Sequence, residues 1–430
     1  MKSIFIEMPA FTPIPMEDIR SGIDESLKSF PDLKRVLIIP PDLTRPHAYA
    51  GPLTNLYYHA LKDRSHVDIL PALGTHDPMT REEFANMFGT DIPFDRMIVH
   101  NWREDVKSIG LVPESFIREV SGGLMEDGID IRINKHILEG SYDLILSIGQ
   151  VVPHEVAGMA NYSKNILVGC AGADVINKTH MLGAVCGMED AMGKDFSPVR
   201  KVLDYAQNHF LKDLPLIYVL TVTTTDESAT YPHGIYIGKD RDIFERAVVL
   251  SKELNFTSLD QPLDKVLVYL DPGEFRSTWL GNKAIYRTRM AMADKGQLII
   301  LGPGVTKFGE DPIIDKLIRK YGYVGAKKVN ELTRANEDLQ KNLSAAAHLI
   351  HGSSEGRFEI VYAVEHMSRD EIGGVGFTYM PLDEALAKYK PASLKDGFNI
   401  LENGESIYYI SNPALGLWTH RQNQSKSFDS

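Results

Sequence analysis

Cysteine is scarce in this chain, since only Cys170 and Cys186 occur among 430 residues. Two thiols cannot supply the disulfide framework of a small secreted scaffold, a cysteine-rich zinc site or an iron–sulfur cluster. A long hydrophobic run is also missing: no stretch of about 18 apolar residues could span a bilayer. Glu7 interrupts the apolar N-terminus too early for a signal peptide. We therefore expect a cytoplasmic protein without a membrane partner.

Positive charge is in deficit, with 46 Lys and Arg against 58 Asp and Glu and a net charge of −12. Such a field repels polyanions, so we expect no nucleic-acid partner. Hydrophobic residues make up 43% of the chain and charged residues 24%, which is typical of a folded globular protein. The length is sufficient for two or three domains.

Short, continuous, β-branched runs alternate with helical stretches, which predicts strands buried on both faces. In the first half we predict strands at 36–40, 67–70, 143–148 and 216–222 and helices at 16–30, 53–61, after Thr80 and after Ser197-Pro198. In the second half we predict strands at 265–270, 297–301 and 358–364 and helices at 283–293, 311–321 and 337–351. The pattern favours two α/β domains, 1–258 and 259–405, with largely parallel sheets and an active-site cleft between them.

Three of the predicted strands end in polar clusters, and ligands of parallel α/β sheets bind beyond such ends. The clusters contain Asp42 and Arg45, then His76, then His154. Each has a simpler interpretation: a turn-stabilising ion pair, a helix cap or an ordinary loop residue. Together they suggest histidine acid/base chemistry on a substrate whose carboxylate an arginine binds.

Downstream, Gly158, Lys164 and His180 occur in a segment rich in small residues, which would let the backbone approach a bulky ligand. A surface lysine is usually only a solvated charge, but the glycine setting makes Lys164 a candidate. His180 could serve as a neutral ligand to nickel or zinc. Nucleotide-binding glycine motifs, the zinc-protease His-Glu pattern and the hydrolase serine elbow are absent from the sequence.

These residues together resemble the lactate racemase family. The resemblance covers the chain in order and size, and its specific motifs lie in residues 42–180: Asp42-Leu-Thr-Arg45-Pro, Leu73-Gly-Thr-His76, and His154-Glu-Val-Ala-Gly158 through Lys164 to His180. By this resemblance the protein is an isomerase that racemises or epimerises a 2-hydroxy acid at C2. Hydride leaves C2 for a cofactor, and the resulting 2-keto acid receives it back on the other face.

The resemblance also implies a cofactor, a nickel-pincer nucleotide, which is a pyridinium thioamide/thiocarboxylate mononucleotide. It would be joined covalently to Lys164, with His180 as a nickel ligand, and Asp42, Thr44 and Gly158 would contact it. Separate cofactor-maturation proteins would supply it. His76 and His154 would take the hydroxyl proton from opposite sides, Asp42 would line the site and Arg45 would lie near the substrate carboxylate.

The family resemblance further implies that the tail, residues 406–430, returns to the first domain. Two departures from the family pattern concern the cofactor loop, where Asn161-Tyr162 replaces Gly-Gly and Val168 replaces a common proline. Two others concern the second domain, where the usual Tyr-Gln-x-x-Lys stretch and a tryptophan near 338–342 are missing. A sugar acid or another polar hydroxy acid is therefore at least as good a candidate substrate as lactate. The predicted substrate-recognition residues are Arg276, Trp279, Asn282 and Lys283.

Two other functions are compatible with the same residues. Asp42, His76, His154 and His180 could form the zinc site of a hydrolase or lyase. Alternatively, the chain could bind a ligand without catalysis, with Lys164 unused. Covalent modification of Lys164 would distinguish the racemase hypothesis from both.

Overall fold

The computed structural model describes residues 1–8, 12–226 and 229–420. The chain divides into two units, and neither is continuous in sequence. The first unit comprises Met1–Thr179 and Met192–Asn255, whereas the second comprises His180–Ala191 and the chain from Phe256 onward. No helix in the described ranges is both long enough and apolar enough to cross a membrane. Cys170 and Cys186 are free thiols.

Strands and helices alternate along the chain, as the sequence pattern predicts. The strands are β1 (Ile4–Glu7), β2 (Arg35–Ile39), β3 (His66–Ile69), β4 (Val106–Val112), β5 (Ile129–Asn134), β6 (Leu144–Gln150), β7 (Pro153–His154), β8 (Gly158–Met159), β9 (Leu216–Thr225), β10 (Thr230–Gly238), β11 (Phe256–Leu259), β12 (Leu263–Tyr269), β13 (Met292–Leu301), β14 (Glu359–Val364), β15 (Thr378–Pro381), β16 (Gly397–Ile400), β17 (Ser406–Ile410) and β18 (Leu417–His420). The helices are α1 (Met16–Lys28), α2 (Ala50–Leu61), α3 (Arg81–Phe88), α4 (Glu114–Val120), α5 (Lys135–Glu139), α6 (Ser163–Leu167), α7 (Ala173–Val185), α8 (Met188–Ala191), α9 (Pro198–Phe210), α10 (Asp242–Asn255), α11 (Thr278–Gly281), α12 (Lys283–Thr288), α13 (Pro312–Tyr321), α14 (Ala326–Ala335), α15 (Glu337–Gln340), α16 (Leu343–His351), α17 (Arg369–Gly374) and α18 (Leu382–Tyr389).

The first unit is built on a six-stranded sheet in the order β1-β10-β9-β6-β2-β3. Strands β3, β2, β6 and β9 run parallel, and β10 and β1 add an antiparallel edge. All seven residues of β6 and four of the five in β2 are buried, which explains their continuous apolar sequence. The parallel strands therefore carry the segments that follow β2, β3 and β6 to one edge of the sheet, as predicted.

Two helix starts of the first unit are fixed by the predicted caps. The Thr80 hydroxyl accepts the Glu83 amide and the Glu83 carboxylate accepts the Thr80 amide, so α3 begins with a complete capping box. The Ser197 hydroxyl accepts the Arg200 amide, and Pro198 occupies the first position of α9.

The second unit contains another six-stranded sheet, in the order β15-β14-β13-β12-β17-β16. All its strands run parallel except the edge strand β16. The chain moves outward from β12 through β13 and β14 to β15, and β17 then pairs on the other side of β12. This reversal is the topological switch point at which doubly wound sheets bind ligands. The fold is therefore a mixed α/β architecture with largely parallel sheets, as the sequence predicts.

The structure corrects the predicted position of the tail. Strand β17 lies inside the second sheet between β12 and β16, and β18 pairs with β11, so these strands extend the second unit rather than the first. The reason is that Ile407 and Tyr409 of β17 are buried in the same hydrophobic core as Leu267 of β12. Residues 421–430 lie outside the described part of the chain. The segment 180–191, predicted within the first domain, also belongs to the second unit.

Two predicted helices of the second half are shorter than expected. The stretch 337–351 is two helices, α15 and α16, because Asn342 leaves the helical conformation with a φ of −134° and a ψ of 59°. The stretch 283–293 ends as a helix at Thr288, because Met292 already begins β13. A sequence period alone does not reveal that strand, since apolar residues continue across the junction.

Candidate active site

The edge formed by the carboxyl ends of β2, β3 and β6 is closed by backbone contacts between the loops that follow them. Pro41 and Ala72 form a parallel bridge that extends the β2–β3 pair. Farther on, the Gly74 amide donates to the Gly169 carbonyl at 2.8 Å. The loops after β2 and β3 and the segment beyond α6 therefore meet at this edge, where the sequence predicts the site.

Asp42 and His76 form a buried pair. The Nδ1 of His76 lies 2.6 Å from Asp42 Oδ2, and the carboxylate side chain is only 4% exposed. Burial alone would raise the pKa of Asp42, but the charge and hydrogen bond of His76, with smaller contributions from Thr44 and Arg45, hold it below its ordinary value. An ionised carboxylate accepts only, so His76 donates to it through Nδ1, and when the ring is neutral its Nε2 is an acceptor.

Thr44 and Arg45 complete the loop after β2. The Thr44 hydroxyl donates to Asp42 Oδ1 at 2.6 Å, and its amide donates to the same oxygen at 3.2 Å. One terminal nitrogen of Arg45 donates to the Thr44 carbonyl at 3.0 Å and contacts the Thr44 hydroxyl at 3.2 Å. Thr44 thus orients both the acid and the guanidinium, and Arg45 remains partly exposed.

His154 follows β6 in a tight two-strand turn, and its ring has the opposite polarity to that of His76. Its Nδ1 accepts the amides of Val156 at 3.1 Å and Ala157 at 3.4 Å. The neutral ring therefore carries its proton on Nε2. The Glu155 carboxylate lies 3.8 Å from the same Nδ1, and the His154 ring is buried.

Gly158 and Lys164 belong to the segment that leads from this turn into α6. Gly158 has a φ of +81°, a conformation that side chains disfavour. Lys164 is partly buried on α6. Burial lowers its pKa to about 8, and the positive charge of Arg45 is the next cause. Its neighbour Asn165 donates to the Ile39 carbonyl and to the Ser147 hydroxyl, which ties α6 to the ends of β2 and β6.

The replacement of Gly-Gly by Asn161-Tyr162 affects the backbone conformation just before Lys164. Asn161 and Tyr162 both have positive φ, 65° and 56°, and Tyr162 has a ψ of −134°. Such backbone favours glycine and costs on the order of 1–3 kcal/mol per residue. Asn161 accepts the Tyr162 amide through its own side chain, and the Tyr162 ring packs 4.3 Å from Tyr218 and 5.3 Å from Phe244. These contacts hold a conformation that a Gly-Gly pair would adopt without strain.

Val168, which replaces a common proline, closes α6. Its amide donates to the Lys164 carbonyl at 2.9 Å, and its φ is −130°. Proline has no amide proton and a φ near −65°, so this ending of the helix excludes it.

The other predicted residues belong to the second unit. His180 is partly exposed on α7, directly after the last residue of the first unit, and its role as a metal ligand stays a prediction. In residues 1–8, 12–226 and 229–420 no three His, Cys, Asp or Glu side chains are grouped to hold a metal ion by themselves.

The four predicted substrate residues have different surroundings around α11 and α12. Arg276 is exposed, Trp279 stacks on His348 at 4.2 Å, and Lys283 pairs with Glu274 at 3.3 Å. Asn282 is fully buried, and its amide bonds to Tyr362 and His348. Asn282 thus contributes to the interior of the second unit, whereas the other three remain accessible to some degree.

Two residues that affect the surroundings of Lys164 are not predicted from the sequence. Asn165 looks like an ordinary polar residue of a short helix. Arg200 is fully buried on α9 and donates to the segment before Lys164. The available signal was its position in the first turn of an amphipathic helix, on the same face as the buried Leu203.

Comparison with known proteins supports the sequence motifs. The profile of the lactate racemase N-terminal domain matches residues 19–193. Lactate racemase from Thermoanaerobacterium thermosaccharolyticum is 33% identical over 152 residues, and that from Lactiplantibacillus plantarum is 31% identical over 147 residues. Each alignment covers 34% of this chain and 32% of the relative, so the match spans about a third of those proteins.

Two solved structures share the fold over nearly the whole chain. A structural genomics target from Thermotoga maritima has a TM-score of 0.83 at 24% identity, with 97% of this chain and 100% of that chain covered. The lactate racemase apoprotein from T. thermosaccharolyticum has a TM-score of 0.66 at 18% identity, with 94% and 92% covered. At these identities the likeness concerns the fold alone.

Proposed function

We propose that the chain is a member of the lactate racemase family and an isomerase that inverts C2 of a 2-hydroxy acid. The observation that carries the proposal is the opposite polarity of two histidines at one sheet edge. His76 donates through Nδ1 to Asp42, whereas His154 accepts two backbone amides at Nδ1. Inversion needs one group that takes the hydroxyl proton on one side and another that returns it on the other.

In this proposal His76 is the base in the resting state. Its Nε2 is an acceptor, and Asp42 stabilises the imidazolium that forms when the substrate hydroxyl gives up its proton. On the other side His154 carries a proton on Nε2 for a hydrogen bond to the substrate oxygen, and it returns a proton only as the imidazolium, because neutral imidazole is too weak an acid. In the reverse direction the two exchange roles. Arg45, oriented by Thr44, binds the substrate carboxylate through its planar fork.

The residues around Lys164 fit a covalently bound anionic cofactor. The amine has a pKa lowered to about 8, so its neutral fraction near neutral pH is larger than that of an ordinary lysine, which favours bond formation. Arg45 adds a positive charge beside it. We propose that Lys164 is the attachment point of a nickel-pincer nucleotide, that Asp42, Thr44 and Gly158 contact it and that His180 supplies a metal ligand. When bound, this group supplies reversible acceptance of a hydride from C2.

A polar substrate larger than lactate is supported by the second unit. Glu274 and Lys283 form an ion pair whose side chains are 7% and 11% exposed, and Asn412 donates to Glu274 at 3.4 Å. Glu274 follows β12 and Asn412 follows β17, so the group lies at the switch point of the second sheet. Charged and amide groups there suit hydroxyl groups of a sugar acid, with Arg276 and Trp279 beside them.

The deciding experiment is peptide-resolved mass spectrometry of cytoplasmic protein co-expressed with cofactor-maturation proteins. A nucleotide-sized adduct at Lys164, with exchange of C2 deuterium in at least one member of a panel of lactate and sugar acids, would support the proposal. Lys164→Arg should carry no adduct and should show no exchange. An unmodified Lys164 together with unchanged stereochemistry for every acid would refute it.

The zinc hydrolase alternative has less support. It needs Asp42, His76, His154 and His180 to converge, yet Asp42 is already hydrogen-bonded to His76 and Thr44, and the Nδ1 of His154 accepts two amides, so its Nε2 carries the proton and has no free lone pair for a metal. The described residues also contain no group of three such side chains arranged around a cation. Hydrolysis supported by zinc alone, in protein with unmodified Lys164, would favour it. A ligand-binding role without catalysis would instead retain binding in a His76→Ala, His154→Ala variant.

A further inference from the structure

Arg200 is a fully buried arginine that the proposed reaction does not use. It lies in the first turn of α9, and its guanidinium carbon is 4.5 Å from the centre of the Phe244 ring. One terminal nitrogen donates to the Met159 carbonyl at 2.7 Å and to the Asn161 carbonyl at 3.2 Å. The other donates to the Ser163 hydroxyl at 3.0 Å. The three acceptors all lie in the five residues directly before Lys164.

This segment contains the two strained residues described above. Arg200 binds the carbonyl of Asn161, at the start of the strained pair, and the side chain of Ser163, immediately after it. A planar guanidinium offers its donors in a fixed fork and so holds the three acceptors in one geometry, whereas the donors of a lysine ammonium rotate on a flexible stem. A buried charge also requires such partners, so the arginine and the segment fix each other.

The start of α9 holds the beginning of the same segment. The Ser197 hydroxyl donates to the Ala157 carbonyl at 2.9 Å, and the Gly193 amide donates to the Gly158 carbonyl at 2.8 Å. The charged groups that most affect the pKa of Arg200 are Asp204, one turn along α9, and Arg241. The start of α9 and the chain just before it therefore hold residues 157–163 at several points, and the bond from Arg200 to Ser163 is the one next to Lys164.

We propose that Arg200 is a positioning residue for Lys164. It holds residues 159–163 in the conformation that presents the Lys164 amine at the sheet edge. This inference rests on the proposed function, in which Lys164 is the attachment point of the cofactor. In this proposal Arg200 acts through the segment before Lys164, with which it makes its hydrogen bonds.

Hydrogen–deuterium exchange of the protein without cofactor tests the conformational part. Arg200→Lys retains the positive charge but loses the fork, and Ser163→Ala removes a single hydrogen bond with little risk to folding. We expect exchange in peptides that cover 157–168 to rise about tenfold in Arg200→Lys and about threefold in Ser163→Ala, with β2 and β3 unchanged. Ser121→Ala, far along the chain in the same unit, is the matched control.

Two outcomes would overturn the inference: unchanged exchange in 157–168, or an equal rise throughout the first unit, which would indicate only general stabilisation. If Arg200→Lys fails to fold, Ser163→Ala alone decides by the same criteria. Adduct occupancy at Lys164 is the second readout, and we expect about a tenfold loss in Arg200→Lys. If the parent itself carries no adduct, the proposed function fails while the exchange measurement still decides the role of Arg200.

Discussion

Asp42 is a buried carboxylate that forms hydrogen bonds with His76 and Thr44 in the candidate site. Because its folded-state pKa is lowered, the ionised form stabilises the fold above the unfolded pKa of about 4, and this contribution is lost as the pH falls through the folded pKa. We predict that Asp42→Asn reduces the free energy of unfolding by about 1–3 kcal/mol at pH 7. The deficit should begin to shrink below about pH 4, where the unfolded carboxylate becomes protonated, and it should disappear only when the pH falls below the lowered folded-state pKa.

Urea unfolding of the parent and Asp42→Asn at pH 7, 5, 4 and 3 measures this effect. Asp63→Asn is the control, because Asp63 is 86% exposed and pairs with a neighbouring lysine on the surface, so we expect little change at any pH. A deficit that stays constant across the pH range would show that the Asp42 charge is not its source.

Lys164 provides a second prediction for a single residue. Arg45 contributes to its lowered pKa, so Arg45→Gln should raise the Lys164 midpoint above 8. The sign follows because removal of a nearby positive charge favours the protonated amine. Burial remains, so the midpoint should stay below the ordinary lysine value.

Competitive acetylation as a function of pH, read by peptide mass spectrometry, measures that midpoint. Lys62, on the surface of the same unit, is the internal control and should not respond. A midpoint that is unchanged or lowered in Arg45→Gln would contradict the electrostatic coupling.

Secondary-structure elements explain which parts of the site the sequence could reveal. Asp42, His76 and His154 follow strands whose apolar runs are unmistakable, and parallel strands must bring their carboxyl ends to one edge. The capping residues Thr80 and Ser197 act on neighbours three residues away, so their signals are local. Elements fixed by local patterns were therefore predictable.

Elements fixed by distant contacts were not predictable. The positive φ of Tyr162 depends on Tyr218 and Phe244, more than fifty residues away, and no local pattern announces it. The family resemblance implied that the tail containing β17 returns to the first domain, whereas the pairing of β17 with β12 places it in the second sheet. The role of Arg200 could not be predicted for the same reason, because the groups that accept its hydrogen bonds lie about forty residues upstream.

The turn between β8 and α6 also depends on a glycine in β6. A Cβ added at Gly149 would lie 1.8 Å from Asn161 Nδ2, so the two positions compete for the same space. We predict that Gly149→Ala destabilises the protein by about 1–3 kcal/mol. Adding Asn161→Gly should recover at least about 1 kcal/mol of this loss, because it removes the clash and accepts the positive φ.

Thermal and urea unfolding of the two single variants and the double variant give the coupling energy. Gly373→Ala is the control, since no atom lies within 4 Å of its added Cβ. Additive effects of Gly149→Ala and Asn161→Gly would contradict a direct clash between the two positions.

At the scale of the whole molecule, a net charge of −12 coexists with a locally cationic site. Arg45 and Arg200 both influence Lys164, and this cluster offsets the overall field where an anionic substrate would bind. The molecule is thus repulsive to polyanions in general while one sheet edge suits a small carboxylate. The two discontinuous units add a second whole-molecule feature, because residues 180–191 connect parts of the first unit yet belong to the second.

The anchor of that segment supplies the last prediction. Glu189 accepts Arg289 at 2.8 Å and Arg357 at 3.4 Å, and the Arg289 side chain is only 8% exposed. Glu189→Ala leaves this buried charge without its carboxylate, so it should destabilise the second unit by about 1–3 kcal/mol.

In a Trp102→Phe background only Trp279 and Trp418 remain, both in the second unit, and their fluorescence during urea unfolding reports the effect. Glu337→Ala removes the exposed pair with Lys341 and should cost less than about 0.5 kcal/mol. Equal small effects would mean that Glu189 does not secure residues 180–191 to the second unit, and the helix that carries His180 would then need another anchor.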